Sequence, residues 1–167
     1  MSNLKNIKSY NHYFDDDINK ETINTLVDKL QEVEGKINLY FTTLGGYKDA
    51  MMYLIYFLNQ RKEDITVILM NRIASAGTLL LTEFYGELKI DCGLDFILFH
   101  AFDRESYSIR KSDNICEKTL TKQDIEGNKI FAKKLKQKGI LTNKQIKQYF
   151  KGDNVVLYKK DIDKCIH

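Results

Sequence analysis

The feature that most constrains the fold is a continuous apolar run, "DITVILM", at residues 64–70. An unbroken run of this length, rich in β-branched residues, is typical of a strand that is covered on both faces. Such strands lie inside parallel sheets with helices packed against them. The run therefore predicts a central parallel strand, and not an edge or antiparallel strand.

Helical patterns alternate with further short strands on either side of this run. Residues 18–34 place Ile23, Leu26, Val27 and Leu30 at helical spacing, with Asn19 as the N-cap. "YKDAMMYLIYFLNQRK" (47–62) predicts a second helix. Strands are expected at 36–43, in "ELKIDC" and at 95–102. This alternation predicts an α/β fold with parallel strands and right-handed crossovers.

The rest of the chain is predominantly helical in pattern. Residues 75–86 predict a buried helix, and residues 118–139 a longer one that Thr121 caps and Gly139 ends. Thr142 and Gln145 have the spacing of a capping box before the segment 141–150, and a short strand "VVLY" follows. No repeat or linker divides the 167 residues, so one domain, 1–167, is expected.

Composition narrows the classes of function. Residues 104–151 hold 13 Lys and Arg against 5 Asp and Glu, but without interleaved aromatic residues. This pattern favours a solvated helix face over a nucleic-acid surface. No apolar run is long enough to span a membrane, and no signal peptide is visible, so a cytoplasmic location is expected. The three cysteines lack metal-ligand spacing, and no metal or cofactor is expected.

Two strand-to-helix junctions hold small residues where a helix begins, "TTLGGYKDA" and "NRIASAGT". In an open α/β sheet, ligands bind beyond the carboxyl ends of the strands. The first amides of a helix have no partner within it, and Gly45 and Gly46 allow the backbone to approach a ligand closely. Such amides can hold a phosphate or the oxyanion of a tetrahedral intermediate.

Ser75 and His100 have two interpretations each. Ser75 could only cap its helix, as serine often does, and His100 could be an ordinary histidine that follows a strand. Alternatively, His100 ends the strand "DFILFH" and emerges at the same sheet edge as Ser75. A serine nucleophile and its general base need this kind of arrangement.

The order "LYFTTLGGYKDAMMYLIYF", "ILMNRIASAGTLLL" and "ILFHAF" resembles the proteolytic subunit of Clp protease, within the Clp-protease/crotonase fold. The resemblance runs from about residue 13 to residue 157 and is strongest across 38–102. It implies a spiral of βαβ units with a handle-like extension at about 103–138, helical near 114–150. The family usually has "SPGG" where this chain has "TLGG", and a glycine where Asn71 stands.

The same resemblance implies roles for individual residues. Ser75 is the expected nucleophile and His100 the expected base. The amides of Gly46 and Ala76, with Gly45 in the same turn, are expected to form the oxyanion hole.

The third member of the triad has two candidates in "YFKGDNVVLYKKD". Counting back from Val156 and Leu157 puts Asn154 at the family's aspartate position, whereas a shift of one residue would put Asp153 there. Asp153 is slightly preferred as the chemically better orienting group, and Asn154 stays a candidate because Asn serves in Cys-His-Asn sites.

The expected function is a serine endopeptidase that cleaves peptides or unfolded proteins inside an oligomeric chamber. The chain lacks a P-loop, so an ATP-dependent unfoldase would be a separate partner. The apolar helix 47–61 predicts a homo-oligomer, ring-shaped by resemblance, with 103–138 at a subunit contact. The alternatives are a non-catalytic, Clp-protease-like assembly or scaffold subunit and a crotonase-like enzyme acting on acyl-CoA.

Overall fold

Eight strands and six helices lie in the part of the chain that the computed structural model describes, residues 9–101, 107–109, 116–118 and 122–162. The strands are β1 (Ser9–Asp15), β2 (Lys36–Thr43), β3 (Ile65–Ala74), β4 (Glu87–Ile90), β5 (Phe96–Phe99), β6 (Tyr107–Ile109), β7 (Cys116–Lys118) and β8 (Val155–Tyr158). The helices are α1 (Lys20–Gln31), α2 (Lys48–Gln60), α3 (Leu80–Glu83), α4 (Lys122–Gln137), α5 (Asn143–Phe150) and α6 (Lys159–Ile162). A 3-10 turn, Ser75–Leu79, joins β3 to α3.

The apolar run at 64–70 lies at the centre of the sheet, as predicted. Its strand β3 pairs in parallel with β2, β4 and β5, and the order through the sheet is β1-β2-β3-β5-β8. Ile65, Val67 and Leu69 are fully buried, whereas the alternate residues of β3 are only partly covered in the single chain. The α/β fold is therefore confirmed, with one face of β3 more open than the run predicts.

The two long helices before Ser75 form as the sequence indicates. Asn19 caps α1 by accepting from the backbone of Glu21 and Thr22. The buried side chains of α1 and α2 lie at helical spacing and join one apolar core; they are Ile23, Leu26, Val27, Leu30, Met51, Leu54, Ile55 and Leu58. Amphipathic periodicity is thus enough to place both helices.

Three features of the sheet region differ from the prediction. Strand β1 was not predicted, because its polar and aromatic residues suit an edge strand with little buried surface. Strand β8 is antiparallel to β5, so the sheet is mixed. Residues 75–86 do not form one helix: the 3-10 turn Ser75–Leu79 and α3 precede Phe84, which is extended.

The C-terminal part packs on the rest of the molecule through two helices: α4 contacts α3, and α5 contacts β8. Thr142 and Gln145 form the predicted capping box of α5. The buried amide of Asn128 accepts a hydrogen bond from the Tyr149 hydroxyl at 2.7 Å, which ties α4 to α5. The expected helical extension begins with strand β7, antiparallel to β6. Thr121 and the remainder of 102–121 outside these two strands lie outside the described residues.

Candidate active site

The junction between β2 and α2 depends on two glycines. Gly45 and Gly46 have φ angles of 110° and 141°, in a region that residues with a side chain rarely adopt. A bridge to Ile18 holds the turn: Ile18 N–H donates to Gly45 O at 2.8 Å, and Tyr47 N–H donates to Ile18 O at 2.7 Å. A Cβ on Gly46 would lie 2.1 Å from Ile18 O, so a side chain there would break the bridge.

The bridge directs the amide of Gly46 away from Ile18. In a trans peptide the carbonyl oxygen and the following N–H point in opposite directions. Because Gly45 O accepts from Ile18, the Gly46 N–H of the same peptide points to the other side of the turn. The bridge therefore does not use the Gly46 N–H as a donor, and an oxyanion hole would require such an unused amide.

The junction between β3 and the 3-10 turn carries Ser75 in a left-handed conformation. Ser75 has a φ of 53° and is partly buried, between buried Ala74 and Ala76. A left-handed residue with a Cβ costs about 1–2 kcal/mol, and such strain is found at functional sites. A sharp strand-to-helix turn of this kind presents a serine hydroxyl at the top of a sheet.

A bulge in β3 lies directly before this turn. The pairing with β2 steps from Phe41 opposite Leu69 to Thr43 opposite Ile73, so β3 has two extra residues. Asn71 lies within the bulge with a φ of 52°. Asn tolerates this conformation better than other residues with a side chain. The Clp pattern has a glycine at this position. Asn71 can take its place because Asn tolerates the left-handed conformation that glycine adopts freely.

The two junctions are in direct contact. A Cβ built on Gly45 would lie 2.4 Å from Ser75 Cβ and 3.0 Å from Ser75 Oγ. The glycine turn thus packs against the Ser75 side chain itself. Ala76 supplies one of the first amides of the 3-10 turn, which have no acceptor within a helix. The serine hydroxyl therefore lies between two backbone segments that carry amide donors.

His100 follows the strand next to β3. The last pair of the parallel ladder joins Ala74 to Leu98, so Ser75 and His100 both lie just beyond it at the same sheet edge. His100 Nδ1 is 3.0 Å from Ala101 O. A carbonyl oxygen only accepts, so this contact places the proton of the neutral ring on Nδ1 and leaves the lone pair on Nε2. Within residues 9–101, no hydrogen bond joins Ser75 Oγ to His100.

The two candidates for the third position precede β8. The antiparallel ladder ends with Phe99 opposite Val155. Continuing it by one residue places Asn154 opposite His100, and by two residues Asp153 opposite Ala101. Both side chains are exposed, and Asp153 N–H donates to Gln148 O at the end of α5. The register therefore favours Asn154 as the neighbour of His100, where the sequence slightly favoured Asp153.

Sequence reasoning missed one polar residue close to this site. Thr43 is buried at the end of β2 and contacts the glycine turn. A hydroxyl in a strand that is otherwise apolar on its buried side is the signal that could have identified it. Among the described residues, no group of three potential metal ligands is present, and no helix is long and apolar enough to cross a membrane.

Of three comparisons with known proteins, the comparison with solved structures found a match. The sequence matches no protein-family model and no curated protein. The structure resembles the crystal structure of the ClpP protease catalytic domain from Plasmodium falciparum, with a TM-score of 0.60 and 18% sequence identity. The match covers 94% of this chain and 80% of that chain. The protein therefore has a Clp-protease-like fold.

Proposed function

We propose that the protein is a serine endopeptidase of the Clp type. The observation that carries this proposal is the contact between the Gly45–Gly46 turn and Ser75 at the edge of the sheet where His100 also emerges. A nucleophile, a base and two backbone segments with amide donors are what acyl transfer requires. The ClpP-like fold supports the same class.

Each group has a defined role in the proposed reaction. Ser75 Oγ attacks the peptide carbonyl carbon and transfers its proton to His100 Nε2, the atom that carries the lone pair. The amides of Gly46 and Ala76 stabilise the oxyanion of the tetrahedral intermediate. The imidazolium returns the proton to the leaving amine, and water then hydrolyses the acyl-enzyme. Catalytic hydrogen bonds often tighten only when substrate binds, so Ser75 and His100 approach each other in that complex.

The third group in this proposal is Asn154 or Asp153. The register supports Asn154, since it lies opposite His100 one step beyond the ladder. The Ala101 carbonyl already fixes the tautomer of His100, which is one task of the usual carboxylate. An amide at this position would orient the ring without adding a charge to stabilise the imidazolium.

The proposal includes oligomeric assembly. A ClpP-like fold is associated with assembly in general, and α2 leaves Met52, Tyr53 and Tyr56 exposed in the single chain. Apolar helix surface of this kind is typical of a subunit contact. We place the protein in a ring that encloses its serines in the cytoplasm, with residues 103–138 at a second contact. Peptides or unfolded proteins are the substrates, delivered by a separate ATP-dependent unfoldase.

The second candidate is a non-catalytic assembly or scaffold subunit of the same fold. It is favoured by the absence of a Ser75–His100 hydrogen bond within residues 9–101 and by an asparagine, in place of an aspartate, at the position that the continued register sets opposite His100. This candidate keeps the fold and the oligomer and predicts no turnover.

Peptide hydrolysis separates the two candidates. The wild type, Ser75→Ala, His100→Ala, Asn154→Ala and Asp153→Ala are compared at equal oligomeric state. We expect the first two variants to lose at least about a thousandfold in kcat, because nucleophile and base act as a unit. Asn154→Ala should lose more than Asp153→Ala. A wild type that does not exceed Ser75→Ala would contradict the peptidase proposal and favour the scaffold.

A further inference from the structure

Thr43 joins the two junctions of the site through a single buried side chain. It is the last residue of β2 and is 1% exposed. Its hydroxyl donates to Asp16 O at 2.8 Å and accepts from Gly45 N–H at 3.0 Å. The hydroxyl therefore connects the glycine turn to the segment between β1 and α1, next to the Ile18 bridge.

The methyl group of Thr43 faces the other junction. A Cβ built on Gly77 would lie 2.5 Å from Thr43 Cγ2, so the methyl fills the space above this glycine. Gly77 belongs to the 3-10 turn that begins with Ser75. Thr43 also pairs with Ile73 of β3 just before that turn. One branched side chain thus contacts both the backbone segment that holds Gly46 and the backbone segment that holds Ser75 and Ala76.

The residue after Thr43 does not stiffen this turn. Leu44 is exposed, and it stands where the Clp pattern has a proline that would fix φ. The order of the turn must come from hydrogen bonds: the two of the Ile18 bridge and the one that Thr43 accepts. Only the last of these depends on a side chain.

We infer that Thr43 is a positioning residue of the proposed active site. Its hydroxyl fixes the Gly45 amide at the start of the turn, directly before the peptide whose Gly46 N–H the Ile18 bridge directs. Its methyl packs against Gly77 of the turn that begins with Ser75. This role rests on the proposed function, since the Gly46 amide matters for catalysis only if an oxyanion forms there. Thr43→Val keeps the branched shape but loses the hydroxyl, whereas Thr43→Ser keeps the hydroxyl but loses the methyl.

The test compares Thr43→Val with Thr43→Ser. Active sites are titrated with a fluorophosphonate, and kcat for a peptide is expressed per titrated serine. We expect Thr43→Val to lower this kcat by about ten- to a hundredfold, with KM changed less than about threefold, because a displaced donor acts on the transition state. Thr43→Ser should retain kcat within about threefold.

Amide exchange supplies a readout that does not depend on activity. In the wild type the Gly45 N–H should be protected, and Thr43→Val should accelerate its exchange about tenfold, the effect of losing about one hydrogen bond. Thr43→Ser should preserve the protection. An unprotected Gly45 amide in the wild type would overturn the inference even if Thr43→Val does not fold.

The outcomes separate the inference from the function on which it rests. A wild type without labelling or hydrolysis contradicts the proposed function, and exchange at Gly45 then decides whether Thr43 orders the turn. An active wild type with an unchanged kcat per titrated serine in Thr43→Val contradicts the inference alone. If Thr43→Val lowered only the fraction of molecules whose serine is titrated, Thr43 would contribute to stability and not to positioning. This result would also overturn the inference.

Discussion

The glycine junction, between β2 and α2, and the serine junction, between β3 and the 3-10 turn, lie at the same carboxyl edge of the sheet. They turn the chain in different ways. After β2, the chain turns with two glycines, a backbone bridge to Ile18 and the hydroxyl of Thr43. After β3, it turns with a bulge and two left-handed residues that are not glycine, Asn71 and Ser75. The first junction carries only backbone donors, so glycine suffices. In the proposed site the second contributes the Ser75 side chain, and this residue has a left-handed, strained backbone.

The first prediction tests how tightly the glycine junction is built. Gly46→Ala should lower the free energy of unfolding by about 3 kcal/mol, since the new Cβ meets Ile18 O and the φ of 141° is unfavourable. Gly152→Ala is the matched control, because it has a φ of 85° but no atom within 4 Å of its Cβ. It should cost only about 1 kcal/mol. If urea unfolding gave the same loss of free energy for both variants, the backbone of the Ile18 bridge would be able to move aside for the new Cβ.

The second prediction concerns the far end of the serine junction. Lys134 of α4 donates to both oxygens of Glu83 at 2.8 and 2.6 Å, and the Glu83 side chain is only 16% exposed. Lys134→Met should cost about 1–2 kcal/mol, between the values for exposed and buried pairs, because it leaves a mostly buried carboxylate without this partner.

The control for this ion pair is an exposed ion pair whose two residues both lie on α4. Lys129 and Glu126 lie 3.9 Å apart and are both mainly exposed. Lys129→Met should change stability by no more than about 0.5 kcal/mol. Similar effects of the two lysine substitutions would mean that α4 does not anchor the serine junction through Glu83.

The third prediction separates the two left-handed residues of the serine junction. Ser75→Gly should raise the free energy of unfolding by about 1 kcal/mol, since glycine removes the strain at φ 53°. Asn71→Gly should change it by less than about 0.5 kcal/mol, because Asn already tolerates this conformation. Chemical denaturation measures both. A loss of stability in Ser75→Gly would argue against backbone strain at Ser75.

The fourth prediction concerns the opposite end of β3, away from both junctions. Thr66 donates to Glu87 at 2.6 Å and, together with Lys89, lowers the pKa of this carboxyl. A lowered pKa stabilises the fold at neutral pH, and this contribution is lost as pH falls through the folded-state value. Thr66→Val should raise the pKa of Glu87, followed by NMR titration, and leave activity unchanged. An unchanged titration would contradict the assigned cause.

The sequence predicted those parts of the fold that local patterns encode. The apolar run of β3 placed it at the centre of the sheet, and Asn19 and Thr142 marked two helix starts. The direction of β8 could not be predicted, because pairing depends on distant residues and not on the pattern of "VVLY". Edge strand β1 escaped detection for a related reason, since much of its surface is exposed.

The features of the candidate site also divide into those that the sequence indicated and those that only the structure shows. The two glycines and the small residues around Ser75 were visible in the sequence, because close approach of backbones demands them. The left-handed conformation of Ser75 and the links made by Thr43 were not, since neither serine nor threonine at those positions requires them. The sequence also left open which of Asp153 and Asn154 is the neighbour of His100, because spacing alone does not give the register between β5 and β8.

The central claim is that the two junctions together make Ser75 a nucleophile. Its most direct measurement is the rate of fluorophosphonate labelling, with the modified residue located by mass spectrometry. We expect labelling of the wild type at Ser75, no labelling of Ser75→Ala, and labelling slowed by about a hundredfold or more in His100→Ala. Equal labelling of the wild type and Ser75→Ala, or none of the wild type in its assembled form, would contradict it.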